Sequence, residues 1–211
     1  MSSLVRDLNY DFFTSLPPKF KYAVLPEEPD MFPKMAERNV YHLVTERDKK
    51  FATFLRSFIY QECQPSLKVV GLVGSVGAGK THLMCAAANL VRCYDFRTFF
   101  AWRSLSIDLL ISLGMHPPEF SQILLDQCPL FIDDLKFTDK TGMGIEIFSS
   151  MIMELYDNPE HPGIIFTQNW EEGVGDIKDH WYRMVPPHIA DRLVSMTQFL
   201  KMTGPSRREE I

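Results

Sequence analysis

The run Gly74-Ser75-Val76-Gly77-Ala78-Gly79-Lys80-Thr81 satisfies G-x-x-x-x-G-K-[ST] at every fixed position. Glycines so spaced let backbone N–H groups turn toward an anion. Lys80 can then reach the β and γ phosphates of a nucleotide, and the Thr81 hydroxyl can ligate Mg²⁺. Downstream, Asp133 and Asp134 close the apolar run Leu130-Phe131-Ile132. Asp133 is suited to hold a Mg²⁺ shell, and Asp134 to orient or deprotonate an attacking water. Two acids after a strand can also open a turn or cap a helix. Asn169 ends Thr167-Gln168-Asn169, where a neutral amide could position water near a γ-phosphate without adding charge, or simply make a turn. Arg192, within Ala190-Asp191-Arg192-Leu193, could stabilise transition-state charge on a nucleotide held by a neighbouring subunit; a surface ion pair with an acid such as Asp191 is the alternative.

These groups can cooperate only if secondary structure carries them to one edge. Lys68 to Val73 is an apolar, β-branched run closed by glycine, as in a buried parallel strand, and Leu83, Ala86, Ala87, Leu90 and Val91 then repeat at helical spacing. Arg97 to Trp102 reads as a second strand, with Phe99, Phe100 and Trp102 as core aromatics, and Leu105 to Leu113 as a helix. Leu130 to Ile132 is the third strand. Ile145, Phe148, Ile152 and Leu155 mark a helix, and Gly163 to Thr167 a fourth strand. Pro187 to Leu193 and Met196 to Met202 read as a short helix and a closing strand. Alternation of this kind predicts an α/β fold with a central parallel sheet flanked by helices and ligands at the carboxyl ends of the strands. Ahead of it, a helix from Thr45, started by a capping-box-like Thr45 and Asp48, shows Phe51, Phe54, Leu55, Phe58 and Ile59 on one face. Residues 1–44 carry Pro17, Pro18, Pro26, Pro29 and Pro33 and are expected to form an irregular arm, leaving 45–211 as the globular domain.

Composition bounds the function. With 211 residues, 45% of them hydrophobic and 23% charged, the chain suits one soluble core, and its formal net charge of -5 opposes coating nucleic acid by overall positive charge. Any contact with DNA must be local. Lys178 and Arg183, beside Trp181 and Tyr182, could supply a basic, aromatic loop, with a solvated surface loop as the alternative. Cys63, Cys85, Cys93 and Cys128 lack paired spacing and are expected to be reduced and mostly buried, and the histidines form no H-E-x-x-H. For His82 and His188, within motif regions, a packing or solvent role is favoured over metal ligation. The amino terminus lacks a secretory pattern and no apolar run is long enough to span a bilayer, which leads to the expectation of a soluble, cytoplasmic protein with no membrane partner.

The segments GSVGAGKTHL, PLFIDDL, IIFTQN, ADRL and the closing GPSRR, in this order, resemble the AAA+ P-loop ATPases of the DnaC/DnaI helicase loaders and the IstB-like transposition helpers. The resemblance covers roughly residues 45 to 211. It implies an AAA+ ATPase domain without a separate carboxyl-terminal lid, homo-oligomers joined through nucleotide interfaces, and an ATP-dependent replicative helicase loader that binds ATP, Mg²⁺ and single-stranded DNA. An IstB-like helper acting on target DNA is the alternative. It also implies Gly74 to Thr81 and the adjoining His82 on nucleotide, Thr81 and Asp133 on metal, Asp134 and Asn169 at the attacking water, Arg192 as the finger, and Arg208 beside the nucleotide. One departure stands out. The arm is short and lacks zinc-spaced cysteines where such loaders carry a helicase-docking domain, although Leu16-Pro17-Pro18-Lys19-Phe20 resembles the usual lead-in to the ATPase core. Phe12, Phe13, Phe20 and Tyr22 are the arm's candidate anchors for a helicase, or for this protein's own core.

Overall fold

The structure, a computed structural model, describes residues 23, 25, 46–95, 101–102, 125, 129–137, 142–158, 160–161, 163–170 and 175–204. The elements in chain order are α1 (Glu46–Ile59), β1 (Val69–Gly74), α2 (Lys80–Asp95), β2 (Ala101–Trp102), β3 (Leu130–Ile132), α3 (Met143–Asp157), β4 (Ile164–Asn169), α4 (Ile177–Met184), α5 (Pro187–Ser195) and β5 (Thr197–Met202). The sheet has five strands in the order β2-β3-β4-β1-β5, and every pairing is parallel.

The pleat sorts each strand's apolar residues between two cores. Val69, Val73, Leu130, Ile132, Ile164 and Phe166 face the layer of α3, α4 and α5. Val70, Leu72, Phe131, Ile165, Leu200 and Met202 face α1 and α2. With both faces covered, all six residues of β1 are buried, which is why that strand reads as a continuous apolar run. Gly71 has a packing reason: a Cβ there would lie 2.8 Å from Phe166 and 2.9 Å from Phe199, so its absence lets the two rings meet edge-on with centroids 6.5 Å apart.

On the α3–α5 face, Trp181 is the hub. It is fully buried, stacks on Phe148 at 5.5 Å, and meets Phe166 edge-on at 5.7 Å. On the other face the core is mainly aliphatic, with Ala86, Ala87 and Ala88 of α2 against Leu55 and Phe58 of α1. Ala23 and Leu25 also enter this second core, and the Asn89 side chain donates to the Ala23 carbonyl at 2.8 Å. The rest of the expected arm, including Phe12, Phe13, Phe20 and Tyr22, lies outside the described residues, as do Thr45, Phe99, Phe100, Cys128 and Leu105 to Leu113.

The sequence reading needs two adjustments here. β5 starts one residue later than expected and ends at Met202 as expected, whereas β1 and β4 run one and two residues past the expected Val73 and Thr167, which makes Asn169 the last residue of β4. The segment holding Lys178 and Arg183 is the helix α4, capped by the Asp176 side chain, which accepts from the Lys178 N–H at 3.1 Å. It is not a loop. Among the described residues no helix is long and apolar enough to cross a membrane.

Candidate nucleotide site

At the carboxyl edge of the sheet, β1 gives way to the glycine loop and α2. Gly74 has φ +152°, and a Cβ there would lie 1.9 Å from the Met202 carbonyl oxygen of the adjacent strand, so no other residue fits. Gly77 and Gly79 also sit at positive φ, 82° and 94°, which folds the loop back over the start of α2. No acidic side chain occupies the first turn of α2, so nothing in that turn competes with an anion for the free N–H groups and the positive end of the helix dipole. Lys80 is buried, and its ammonium donates to the carbonyls of Gly74 at 2.9 Å and Ser75 at 2.7 Å. The Gly74 carbonyl also accepts from the Trp170 N–H at 3.0 Å, which ties the loop to the end of β4. Val76 stands exposed at the loop tip, whereas Ala78 is buried. His82 is buried among α2's neighbours, in keeping with a packing role, and His188 is exposed on α5.

Next to the loop a hydrogen-bond relay crosses three elements. The Thr81 hydroxyl donates to Asp133 Oδ1 at 2.8 Å, and the Thr167 hydroxyl donates to the same oxygen at 2.7 Å. Thr167 Oγ1 in turn accepts from the Asp134 N–H at 2.8 Å, while the Thr167 carbonyl accepts from Leu135 N–H at 2.8 Å. Asp134 has φ 55°, the left-handed region that non-glycine residues seldom enter and Asp and Asn tolerate best. Its Oδ1 accepts from the Asn169 amide at 3.1 Å, and its Oδ2 meets the Lys136 ammonium at 2.8 Å. Asp134 lifts the Lys136 pKa above the usual lysine value through its hydrogen bond and its negative charge. Thr81, Asp133, Asp134 and Asn169 therefore meet at one edge, beside Lys80.

Chemically, this edge offers donors and a cation to an anion, and paired oxygens to a divalent ion. Loop amides and Lys80 suit phosphates, Thr81 Oγ1 and the Asp133 carboxylate suit Mg²⁺ and its water shell, and Asp134 with Asn169 presents a carboxylate and an amide suited to a water. The residues present fit a nucleotide and its cation.

Arg192 is elsewhere. It lies in the last turn of α5, whose end is anchored at the opposite edge of the sheet by the Met196 carbonyl accepting from the Lys68 and Val69 N–H groups at 3.0 Å each. Its guanidinium stacks over the Tyr156 ring at 5.1 Å and touches Met153 Sδ, both on the final turns of α3. Asp191 pairs instead with Tyr182, whose hydroxyl donates to Asp191 Oδ1 at 2.5 Å and whose own pKa is raised chiefly by that bond. β1 alone is six residues, about 20 Å at some 3.3 Å per residue, so Arg192 does not reach this chain's own loop. Arg208 lies outside the described residues.

The aromatic and basic contact expected around Trp181 is corrected at that residue: Trp181 has no exposed surface to stack on a base, whereas Tyr182 stays exposed with its hydroxyl on Asp191. Three residues with structural roles at the site were not singled out from sequence. Thr167 showed one signal, a hydroxyl interrupting an apolar strand. Lys136 and Trp170 showed none, because their partners are set by the packing of β4 against β1 and β3. Lys201 lies over the Trp170 ring at 5.0 Å on the same flank.

The parallel, helix-flanked sheet with its glycine loop between β1 and α2 matches the AAA+ P-loop NTPase fold of the solved structures named below. No family model and no curated protein sequence matches the chain. Among solved structures, the DnaC helicase loader is similar at TM-score 0.64 and 21% identity, covering 89% of this chain and 100% of that one. DnaI is similar at TM-score 0.59 and 20% identity, over 91% of this chain and 94% of that one. A replication initiator DnaA bound to AMPPCP and single-stranded DNA is similar at TM-score 0.60 and 19% identity, over 92% of this chain and 55% of that one.

Proposed function

We propose that the chain is an ATP-hydrolysing loader of a replicative helicase, acting on single-stranded DNA in the initiation of replication. The observation that carries this reading is the relay joining Thr81, Asp133, Thr167 and Asp134 beside the glycine loop. It couples the end of β4 to the groups that would hold metal and water. ATP, when bound with Mg²⁺, supplies the γ-phosphoryl group for attack by water. Gly74 to Thr81 hold its phosphates, with Lys80 leaving the loop carbonyls for the anion, and Thr81 and Asp133 hold Mg²⁺. Asp134 takes the water's proton and Asn169 orients that water. Arg192 acts on the nucleotide of a neighbouring copy in a homo-oligomer, since its own loop is out of reach. The helicase role draws its support from the likeness to the DnaC loader over the full length of that chain, and the DNA role from the DnaA neighbour's bound strand.

The test is co-purification with the replicative helicase of the same source in ATP, using the full chain and a deletion of residues 1–20. The deletion removes Phe12, Phe13 and Phe20 and stops short of Ala23 and Leu25, which belong to the core. Capture by the full chain and loss in the deletion are expected, with ATP binding unchanged in both. A full chain that captures no helicase yet prefers duplex DNA to single strands would transfer the reading to an IstB-like transposition helper. In either case Lys80→Ala should abolish tight ATP binding in a folded protein, because the lost ammonium faces the loop and not an apolar core.

A further inference from the structure

Arg192 is held by groups that leave its charge without a counter-ion. Its guanidinium carbon lies 5.1 Å from the centroid of the Tyr156 ring, and one of its N–H groups meets Met153 Sδ. Tyr156 and Met153 stand three residues apart on α3, so they share a face of that helix and form a saddle under the guanidinium. Attraction to the face of a ring draws on the charge of the guanidinium and not on its N–H groups, and a thioether is a weak acceptor. Asp191, the adjacent acid, is taken by the Tyr182 hydroxyl at 2.5 Å, and among the described residues no carboxylate lies within ion-pair distance of Arg192. Most of its donors therefore remain open to an anion. The core does not account for Tyr156 either: its side chain is 53% exposed on the last turn of α3, and among the described residues its ring meets no other aromatic ring. An arginine side chain is rich in rotamers, and a contact over one face is enough to favour a subset of them.

We infer that Tyr156 is a positioning residue for Arg192: its ring, beside Met153, holds the guanidinium in the orientation in which it meets the γ-phosphate of a second copy's nucleotide. The ring touches no reacting atom and acts through the arginine alone. The inference rests on the reading of Arg192 as serving a neighbouring copy, and it adds a residue of α3 to what α5 presents there.

The experiment takes full-length Arg192→Ala protein as the copy whose ATP is hydrolysed and titrates into it donor copies that carry Lys80→Ala, so that turnover arises only where a donor's Arg192 meets an intact loop. The donors are Lys80→Ala alone and Lys80→Ala combined with Tyr156→Ala, Tyr156→Phe or Arg192→Ala. At saturating donor and ATP, Tyr156→Ala in the donor is expected to lower the rate by about twofold to fivefold, the factor by which an exposed cation–π contact weights one arrangement over others. The KM for ATP and the donor concentration at half-maximal rate should be unchanged. Tyr156→Phe keeps the ring and should match Lys80→Ala alone, and Arg192→Ala should support no turnover. A Tyr156→Ala donor that reaches the full rate at saturation overturns the inference; if it does so only at higher concentration, the ring serves contact between copies and not the aim of the arginine. A Tyr156→Phe donor as weak as Tyr156→Ala overturns it too, because the hydroxyl would then carry the effect. If Lys80→Ala donors alone support no turnover in demonstrably mixed assemblies, the reading of Arg192 across copies fails and the inference with it, a result distinct from a loss or a full rate confined to the Tyr156 variants.

Discussion

Two regions of the domain are built on opposite principles. The carboxyl edge is a set of short polar side chains from α2, β3 and β4 that hold one another through single hydrogen bonds at 2.7–3.1 Å, half open to solvent. The flank of α3, α4 and α5 is aromatic and dry, with Trp181 locked among Phe148, Phe166 and Phe137, and it carries Arg192 on its rim against Tyr156. The first can exchange partners at small cost; the second can only present what stands on it. A rigid platform that aims an arginine away from its own loop makes mechanical sense if the arginine serves another copy's nucleotide.

The largest effect that would break this comparison lies with Arg192. Arg192→Ala should keep nucleotide binding and lose assembly-dependent hydrolysis by roughly 10³-fold or more, the usual scale for such a group. Mixed with Lys80→Ala protein, it should recover part of the lost activity, since one copy brings an intact loop and the other an intact arginine. Demonstrably mixed assemblies that stay inactive would show that the flank does not serve a neighbour.

A smaller contrast concerns stability. Trp181→Ala should lower the free energy of unfolding by about 3–5 kcal/mol in chemical denaturation, because the hub of the aromatic core is lost and a cavity remains. Asp134→Asn should stay within about 0.5 kcal/mol of the parent, since asparagine tolerates the left-handed backbone and the lost ion pair is exposed. Equal losses in the two variants would erase the distinction between an exchangeable edge and a rigid flank.

The smallest effect sits where the regions meet. His180 on α4 lies 3.1 Å from the buried Gln168 amide of β4, and its pKa is lowered from 6.5, first by burial and then by Arg183. Folding therefore favours the neutral ring. The unfolded chain binds the proton more readily, so stability is full above about pH 6.5 and declines as pH falls through that value toward the folded-state pKa. The thermal midpoint of the parent should drop slightly between pH 7.5 and 5.5, and His180→Asn should flatten that slope. A parent whose midpoint rises on acidification would mean that protonated His180 has found a partner in the fold.

Much of the carboxyl edge is legible in the chain because its residues are local signals. The glycines around Lys80 encode positive φ and close approach, as at Gly74 against Met202, and an apolar triplet ending in two aspartates announces a buried strand that must end at a polar edge. The helix α4 was not legible. Trp181 and Tyr182 are chemically suited to stacking on bases, and nothing in Ile177 to Met184 by itself says that one of them points into a core made by β4 and α3.

Residue type and spacing alone thus determine the alternation of strands and helices, the loop able to hold phosphates, and the edge at which Asp133, Asp134 and Asn169 gather. These follow from backbone geometry and from periodicities of two and about 3.6 residues. Tertiary structure alone decides that Thr167 links the two aspartates, that Lys136 closes on Asp134, and that Arg192 stands with Tyr156 at the far edge. Each of these contacts depends on how separate elements are set against one another in space, through strand register, turn conformation or helix packing, and that placement has no signature in the spacing of any one segment.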